Sequence, residues 1–317
     1  MQSYLREKAV LMRLGIGLPG EHRQDPDMSS AVKTEHQLGG DAGRWIKQLY
    51  PPDALKEVKA LDNKARALHD LLTLKWDTGI GILPAGLIAE YGDQIRQFKG
   101  EREVLVEKFL AHPEVFIEWA IAQHNGTFDP DQYPGCGKIE NQVDPVGRKV
   151  IGDYFLDVGE WQNRMRKKFY FGAEPLPVPA GTHYTDTIAA LLGTDVESTD
   201  RRVREAQVQA QQELLERLLA PVIAMARKLA EKPKEKKNGK TAEDIVFRDS
   251  LVGNIREIAN LAPKLNLAGD AKLDQLIAEV ERLSAVDPGT LRDNKGVRSE
   301  VQKQADELAK RLAAYSF

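Results

Sequence analysis

Residue types that commonly carry out catalysis occur in this sequence, but their spacing does not match the arrangements that catalysis requires. The run Asn238-Gly239-Lys240-Thr241 matches the end of a phosphate-binding loop, yet the position of the first glycine in that pattern is Lys234. Two other glycine runs, Gly15-Ile16-Gly17 and Gly79-Ile80-Gly81, lack the Lys-Ser or Lys-Thr pair that must follow. The sequence therefore predicts no phosphate-binding loop.

Potential nucleophiles and metal ligands are scattered along the chain. Cys136 lies near Lys138, a cation that lowers a thiol pKa, but no histidine is close in sequence to act as its base. Asp129 and Asp131 alternate as calcium ligands do, but Pro130 between them and the missing later glutamate argue against a calcium loop. No histidine or cysteine pair has zinc-ligand spacing. The six histidines are His22, His36, His69, His112, His124 and His183.

We therefore predict a protein that is not an enzyme, with no catalytic residue, no metal site and no cofactor. Catalysis remains an alternative only if Cys136 or histidines from distant segments come together in the fold.

A segment in the middle of the chain mixes cations with aromatic side chains. We predict a strand over Met165–Gly172, in which aromatic faces stack on bases while cations follow the phosphates of a single strand. The alternative is an amphipathic strand whose aromatic residues face the core. The predicted nucleic-acid-binding residues of this segment are Arg148, Lys149, Arg164, Arg166, Lys167, Lys168 and Tyr170.

A second basic cluster lies in the run 232–240, which contains no apolar residue and is predicted to be a turn at the tip of two helices. Its lysines either attract a polyanion or keep the turn soluble. The lysines assigned to the candidate site are Lys232, Lys234, Lys236, Lys237 and Lys240.

The last third of the chain has the periodicity of amphipathic helices. Thr194 and Glu197 form a capping box, and apolar residues such as Leu214, Leu218 and Val222 continue one helix face past Pro221, where we expect a kink. Such a stripe requires a partner, either a neighbouring hairpin or another copy of the chain, so a homo-oligomer is predicted.

Shorter helices are predicted after that long one. They start at Thr241, at Asp270 and at Asp287, and Pro263 is predicted to end the first of them. Their short connections favour an antiparallel bundle over residues 183–317.

Residues 1–182 are predicted to form a mixed α+β domain, so the fold class is mainly α with a small β element. Two strands, Lys8–Leu18 and Gly79–Pro84, share an order of glycine, apolar residue and proline and are predicted to pair. The other predicted elements are helices over Pro52–Lys75, Leu87–Phe98, Glu101–Ala122 and Val150–Trp161, a loop over Asn125–Gly147 and a connector over Pro175–Gly181.

Composition describes an ordinary globular protein. The 317 residues carry a formal net charge of −3, with 29% charged and 42% hydrophobic residues, which excludes a globally basic nucleic-acid coat. A single cysteine is consistent with a reducing cytoplasm. No segment approaches the roughly 20 apolar residues that span a membrane, so a soluble, cytoplasmic protein without a membrane partner is predicted.

Several apolar patterns and one basic aromatic segment are shared with a known group of proteins. They are Val10–Leu18, the helix with Leu61, Ala65, Arg66 and Leu68, the strand ending at Leu83-Pro84, the helix with Phe98, Phe109 and Leu110, Tyr133-Pro134, and Arg166–Phe171. In these features the chain resembles an uncharacterised family of bacteriophage and proteobacterial proteins. Genes of that family often lie near those for a MoxR-type AAA+ ATPase and a von Willebrand A-like protein. The resemblance implies a helper role in a mobile element and carries no catalytic residues.

Together these features predict a nucleic-acid-associated protein of a phage or mobile element that prefers single strands and oligomerises. The alternative is a protein-binding adaptor for a MoxR-type AAA+ ATPase, in which the basic clusters are incidental.

Overall fold

Helices predominate over short antiparallel strands in this protein, which confirms the predicted mainly α class with a small β element. The structure is a computed structural model that describes Leu5 and residues 7–124, 128, 133, 135–139, 148–179, 191, 197–230 and 249–315. Within these residues the helices are α1 Pro26–Glu35, α2 Lys56–Leu72, α3 Ile88–Leu110, α4 Pro113–His124, α5 Val158–Arg166, α6 Glu197–Ala230, α7 Asp249–Leu265, α8 Ala271–Ser284, α9 Pro288–Asp293 and α10 Lys295–Ala313. The strands are β1 Ala9–Ile16, β2 His22–Gln24, β3 Ile46–Gln48, β4 Leu74–Asp77, β5 Ile80–Pro84, β6 Cys136–Lys138, β7 Lys149–Ile151, β8 Tyr154–Leu156 and β9 Phe171–Leu176.

The chain forms two compact units whose segments alternate along the sequence. The bundle unit comprises Met1–Arg13, Leu68–Gly92 and Glu174–Phe317, and the aromatic unit comprises Leu14–Ala67 and Asp93–Ala173. The predicted boundary at 182–183 lies outside the described residues.

The predicted pairing of the two glycine-containing strands is confirmed. Strands β1 and β5 are antiparallel, with Ala9 opposite Pro84 and Arg13 opposite Ile80. They are central in a four-stranded sheet of order β4-β5-β1-β9, while β2 pairs with β3 and the third sheet has the order β6-β8-β7.

The apolar stripe of the long helix is buried within the bundle unit. Helix α6 continues through Pro221, as predicted, and packs on α7 and α10. Leu214, Leu218 and Val222 are fully buried. The neighbouring helices of the same chain therefore cover the face on which the oligomer prediction depended.

The N-caps predicted for the later helices are confirmed at Asp270 and Asp287. The Asp270 carboxylate accepts from the amides of Lys272 and Leu273 at 2.8 and 3.1 Å. Asp287 caps α9, but that helix stops at Asp293, because Asn294 adopts an extended backbone and caps α10. Thr194, Thr241 and the run 232–240 lie outside the described residues.

Two predicted helix limits are wrong. Helix α3 continues through Gly100, where a break was predicted, and it ends at Leu110. Burial of Ile95 and Val106 on either side outweighs the roughly 1 kcal/mol that an interior glycine costs. Helix α7 contains Pro263 and runs to Leu265, which is buried.

Part of the predicted loop over Asn125–Gly147 is also a strand. Residues Cys136–Lys138 form β6, which pairs with β8, so Cys136 lies opposite Leu156.

The aromatic unit has a core of stacked and edge-on rings. Phe109 stacks on Phe116 and Trp161 at centroid distances of 4.7 and 6.0 Å, and Tyr50 meets Phe109 edge-on at 5.6 Å. This core holds α3, α4 and α5 together and thereby positions the basic aromatic segment.

Candidate nucleic-acid interface

The basic aromatic segment is not the continuous strand that we predicted. Asp157 caps α5 by accepting from the Glu160 amide at 2.9 Å, and Trp161 and Met165, one turn apart, are buried. Arg164 and Arg166 are therefore helical, and the chain becomes extended only from Phe171 onwards. The sequence also contains a signal for helix α5, because an aspartate followed by apolar residues four apart is typical of a helix start.

The helix predicted over Val150–Trp161 is also wrong at its start. Strands β7 and β8 form a hairpin there, with Ile151 opposite Tyr154. Gly152 has φ of +59°, a conformation that favours glycine at a tight turn. The run Val-Ile-Gly-Asp-Tyr-Phe-Leu contains this hairpin signal.

Most predicted cations of the segment already have partners. Lys149 lies 3.1 Å from the Glu114 carboxylate, and the Arg148 guanidinium lies over the Phe155 ring at 4.0 Å. Arg164 pairs with Glu160 at 2.8 Å on one face of α5.

The side chain of Arg166 is held in the same way. Its guanidinium contacts both carboxylate oxygens of Glu107, with Nη2 at 2.9 and 2.8 Å. A polyanion would have to compete with these carboxylates, so the three ion-paired cations, Lys149, Arg164 and Arg166, offer less positive charge than the sequence indicates.

Lys167, Lys168 and Tyr170 form a small exposed cluster immediately after α5. Neither lysine makes an ion pair with any residue that the structure describes, and both are exposed. Tyr170 is 56% exposed, so its ring faces are open to solvent. We call these three residues the lysine-tyrosine patch.

Two glycines support the Tyr170 ring: Gly15 lies in β1, and Gly17 follows the end of that strand. A Cβ on Gly15 would lie 2.4 Å from Tyr170 Cε1, and one on Gly17 would lie 3.2 Å from Tyr170 Cβ. The Gly17 and Tyr170 backbones exchange hydrogen bonds of 2.7 and 3.2 Å. Because neither glycine has a side chain, the ring lies directly on the strand, and its position is fixed before any ligand arrives.

A buried ion pair lies beneath this patch. The side chain of Arg102 is 4% exposed and that of Asp62 is 0% exposed. Arg102 Nε and Nη2 contact the two Asp62 oxygens at 2.7 and 3.3 Å, and Nη2 also donates to the Gly17 carbonyl at 2.8 Å. The carbonyl that receives the Tyr170 amide is thus anchored to α3.

The residues on either side of Tyr170 pack inward. The Arg102 guanidinium carbon lies 5.7 Å from the Phe169 ring centroid and 5.5 Å from that of Phe171. Phe169 also meets Phe109 edge-on at 5.3 Å. The alternative weighed for the aromatic residues thus describes Phe169 and Phe171, while Tyr170 faces solvent.

Sequence reasoning missed the groups that position the patch. Arg102 and Asp62 are separated by 40 residues, and no local pattern marks them as partners. The glycines at 15 and 17 were visible, but only the fold shows that Tyr170 occupies the space they leave.

The candidate nucleophile and metal ligands do not assemble into a site in the described residues. Burial raises the pKa of the Cys136 thiol to about 11, which disfavours the reactive thiolate. His69 is buried, and its Nδ1 lies 2.9 Å from the Tyr91 hydroxyl. Among the described side chains, no three of the metal-binding types come close enough to hold an ion, and no described helix has the length and apolar character to cross a bilayer. Lys232, Lys234, Lys236, Lys237, Lys240 and His183 lie outside the described residues.

Comparison of the chain with protein-family models, with curated proteins and with solved structures finds no match.

Proposed function

We propose that this protein binds single-stranded nucleic acid through the lysine-tyrosine patch and has no catalytic activity of its own. The observation that supports this proposal is the exposed Tyr170 ring, which is held in place on Gly15 and Gly17. Beside it lie two lysines that lack a counter-ion among the described residues. A base stacks on the ring while Lys167 and Lys168 contact the adjacent phosphates.

Stacking favours single strands over duplexes, because a base inside a duplex is already stacked on its neighbours. Every base has a π face, so the site is tolerant of sequence. The overall negative charge confines the attraction to the patch, and we expect affinity to fall as the salt concentration rises.

The structure changes which of the predicted residues belong to this proposal. Arg148, Lys149, Arg164 and Arg166 have ring or carboxylate partners and are assigned a secondary, screened contribution. The apolar face of the long helix no longer supports the oligomer proposal, because Leu218 and its neighbours are buried within the chain. The link to phages and mobile elements rests on the family resemblance alone.

Fluorescence anisotropy with a labelled oligothymidylate tests the proposal. Tyr170→Leu removes the stacking face and should weaken binding by about 1 to 3 kcal/mol, roughly 5-fold to 150-fold, whereas Tyr170→Phe should bind as wild type. Changing Lys167 and Lys168 together to Gln should reduce the slope of log affinity against log salt by about 1.4.

Matched controls separate local contacts from general charge. Lys64→Gln, on the exposed side of α2 in the same unit, removes one cation remote in sequence and should leave the affinity nearly unchanged. Gly15→Ala keeps every charge but forces the Tyr170 ring off the strand, so it should lower affinity without altering the salt slope. Equal affinity of wild type, Tyr170→Leu and the double lysine variant would refute the proposal.

A protein-binding adaptor is the second candidate, and one surface favours it. Trp45, immediately before β3, is 50% exposed, and Ile46, on the ribbon formed by β2 and β3, is 61% exposed. Buried Lys47, between Ile46 and Gln48, pairs with Asp25 at 3.0 Å and fixes the ribbon beside α1. Exposed tryptophan next to an arginine, here Arg44, is typical of residues that dominate protein interfaces.

Binding to a purified MoxR-type AAA+ ATPase, measured by biolayer interferometry, tests this candidate. Trp45→Ser should weaken the complex by at least about 2 kcal/mol if the ribbon is the docking surface, while Tyr170→Leu should have no effect. Absence of a complex at micromolar concentrations, with oligothymidylate binding intact, would rule out the adaptor.

A further inference from the structure

A concave surface lies next to the buried ion pair in the aromatic unit. It is a pocket of about 370 Å³ between one face of α3 and the segment from Arg166 to Phe171. Phe169, Phe171 and buried Val106 supply apolar wall, and Arg102 lines the same space. Its volume and its mixture of aromatic walls with a few polar groups are those of small-ligand sites.

Arg102 leaves part of its hydrogen-bonding capacity available to this pocket. Its Nε and Nη2 are bound to Asp62 and Gly17, whereas Nη1 makes no hydrogen bond to any described residue. Guanidinium nitrogens only donate, so the group that satisfies Nη1 must be an acceptor. Asp62 and the two rings hold the guanidinium in place, so the donor is oriented without cost to a ligand.

The rim of the pocket carries two cations, Lys99 and Arg166, and two carboxylates, Glu103 and Glu107. Arg166 and Glu107 neutralise each other there, which leaves Lys99 and Glu103 as exposed rim charges without an ion pair among the described residues. Lys99 and Arg102 are three residues apart on α3 and therefore lie on the same face. An acidic group placed between these two cations satisfies both of them.

We propose that this pocket binds a small planar ligand that carries a phosphate or carboxylate group. The ring packs against Phe169 and Phe171, and the acid oxygens accept from Arg102 Nη1 and Lys99 Nζ. The pocket does not include Tyr170, so ligand binding here does not depend on binding of nucleic acid to the lysine-tyrosine patch.

The test is NMR of the whole chain labelled at the phenylalanine rings, titrated with phenyl phosphate and, in a separate arm, with benzoate. We expect saturable shifts of the Phe169 and Phe171 signals, and the stronger of the two ligands identifies the acid. Inorganic phosphate alone and phenol alone should each bind at least about tenfold more weakly than phenyl phosphate, since each lacks one half of the contacts.

Three substitutions relate the shifts to the proposed contacts. Lys99→Gln, at an exposed position that cannot threaten folding, should weaken phenyl phosphate about threefold, while Glu103→Gln should strengthen it by a similar factor. Arg102→Lys keeps a charge beside Asp62 but loses the Nη1 donors, and should weaken binding about tenfold or more. Lys64→Gln, outside the pocket, is the matched control and should bind as wild type.

Three results would overturn the proposal. One is the absence of any saturable ring shift at about 10 mM ligand, a concentration that detects even a weak fragment. A second is equal affinity of wild type, Lys99→Gln and Glu103→Gln, because these folded variants change the rim charge in opposite directions. Inorganic phosphate binding as tightly as phenyl phosphate would likewise refute a site for an aromatic acid.

Discussion

The buried ion pair between Arg102 and Asp62 should be one of the most sensitive points of the aromatic unit. Replacing Asp62 by Ala leaves the Arg102 guanidinium charged, enclosed and without a counter-ion, since the side chain is only 4% exposed. Arg102→Met likewise leaves the Asp62 carboxylate buried and without its counter-ion. Either single change removes the two charge-assisted hydrogen bonds between these residues, of 2.7 and 3.3 Å, and Arg102→Met also removes the 2.8 Å bond to the Gly17 carbonyl.

The expected loss can be worked out in two ways. Hydrogen bonds to charged groups contribute about 1.5 to 3 kcal/mol each, which gives roughly 3 to 6 kcal/mol for the pair. Breaking a buried ion pair at one partner costs about 3 to 5 kcal/mol in measured cases. Changing both residues at once, Asp62→Leu with Arg102→Met, removes both charges and should cost less than about 1 kcal/mol or even stabilise the protein.

Urea unfolding followed by tryptophan fluorescence measures these differences, because Trp161 is buried in the same unit. The pair formed by Arg166 and Glu107 provides a matched control, since it has the same chemistry with both side chains about half exposed. Arg166→Met should cost at most about 1 kcal/mol. If Asp62→Ala also costs less than about 1 kcal/mol, water reaches the Arg102 charge, and the positioning role assigned to the pair is wrong.

Three further predictions concern the bundle unit. Burial lowers the pKa of His69, so as pH falls below its ordinary value of about 6.5 the unfolded chain takes up a proton that the folded chain does not. The stability that neutral His69 contributes is therefore fully present above that pH and is lost below it, at up to about 1.4 kcal/mol per pH unit. Urea titrations at pH 7 and pH 5 should show that His69→Gln removes this loss. Arg217→Met removes donors to the carbonyls of Leu71 and Thr73, at 3.2 and 2.8 Å, and should cost about 1 to 3 kcal/mol in thermal unfolding while speeding hydrogen exchange in β4. Gly81→Ala places a Cβ 2.2 Å from Thr73 Oγ1 and should cost about 1 to 3 kcal/mol, a loss that the double variant with Thr73→Ala should partly restore.

Local signals in the sequence predicted the elements whose cause is local. The caps at Asp270 and Asp287 depend on neighbouring residues, and both were confirmed. The pairing of β1 with β5 joins strands far apart in the sequence, and it was predicted from their repeated Gly-Ile-Gly order and confirmed. The continuous helix α3 was missed because burial of Ile95 and Val106 outweighs the local cost of Gly100. Tertiary burial decides such cases, and no pattern within one segment reports it.

The sequence likewise predicted only part of the candidate site. Charge and aromatic content marked the segment that carries the proposed site, but charge on a sequence does not show which cations are already paired. Glu107 and Glu114, which hold Arg166 and Lys149, lie 59 and 35 residues away from them along the chain. Their proximity is a consequence of the aromatic core, so the reduction of the site to Lys167, Lys168 and Tyr170 could only come from the fold.

The tripeptide Gly-Ile-Gly occurs twice in the chain and has a different structural role in each place. In the second run, Gly79 has φ of +72° at the turn between β4 and β5, and Gly81 makes room for buried Thr73, so both glycines are explained by packing. In the first run, the glycines make room for a ring that is exposed to solvent. A gap filled by a buried side chain stabilises the fold, whereas a gap that fixes an exposed aromatic ring gains little from burial. That difference makes Gly15, and not Gly81, the glycine whose replacement should change binding more than stability.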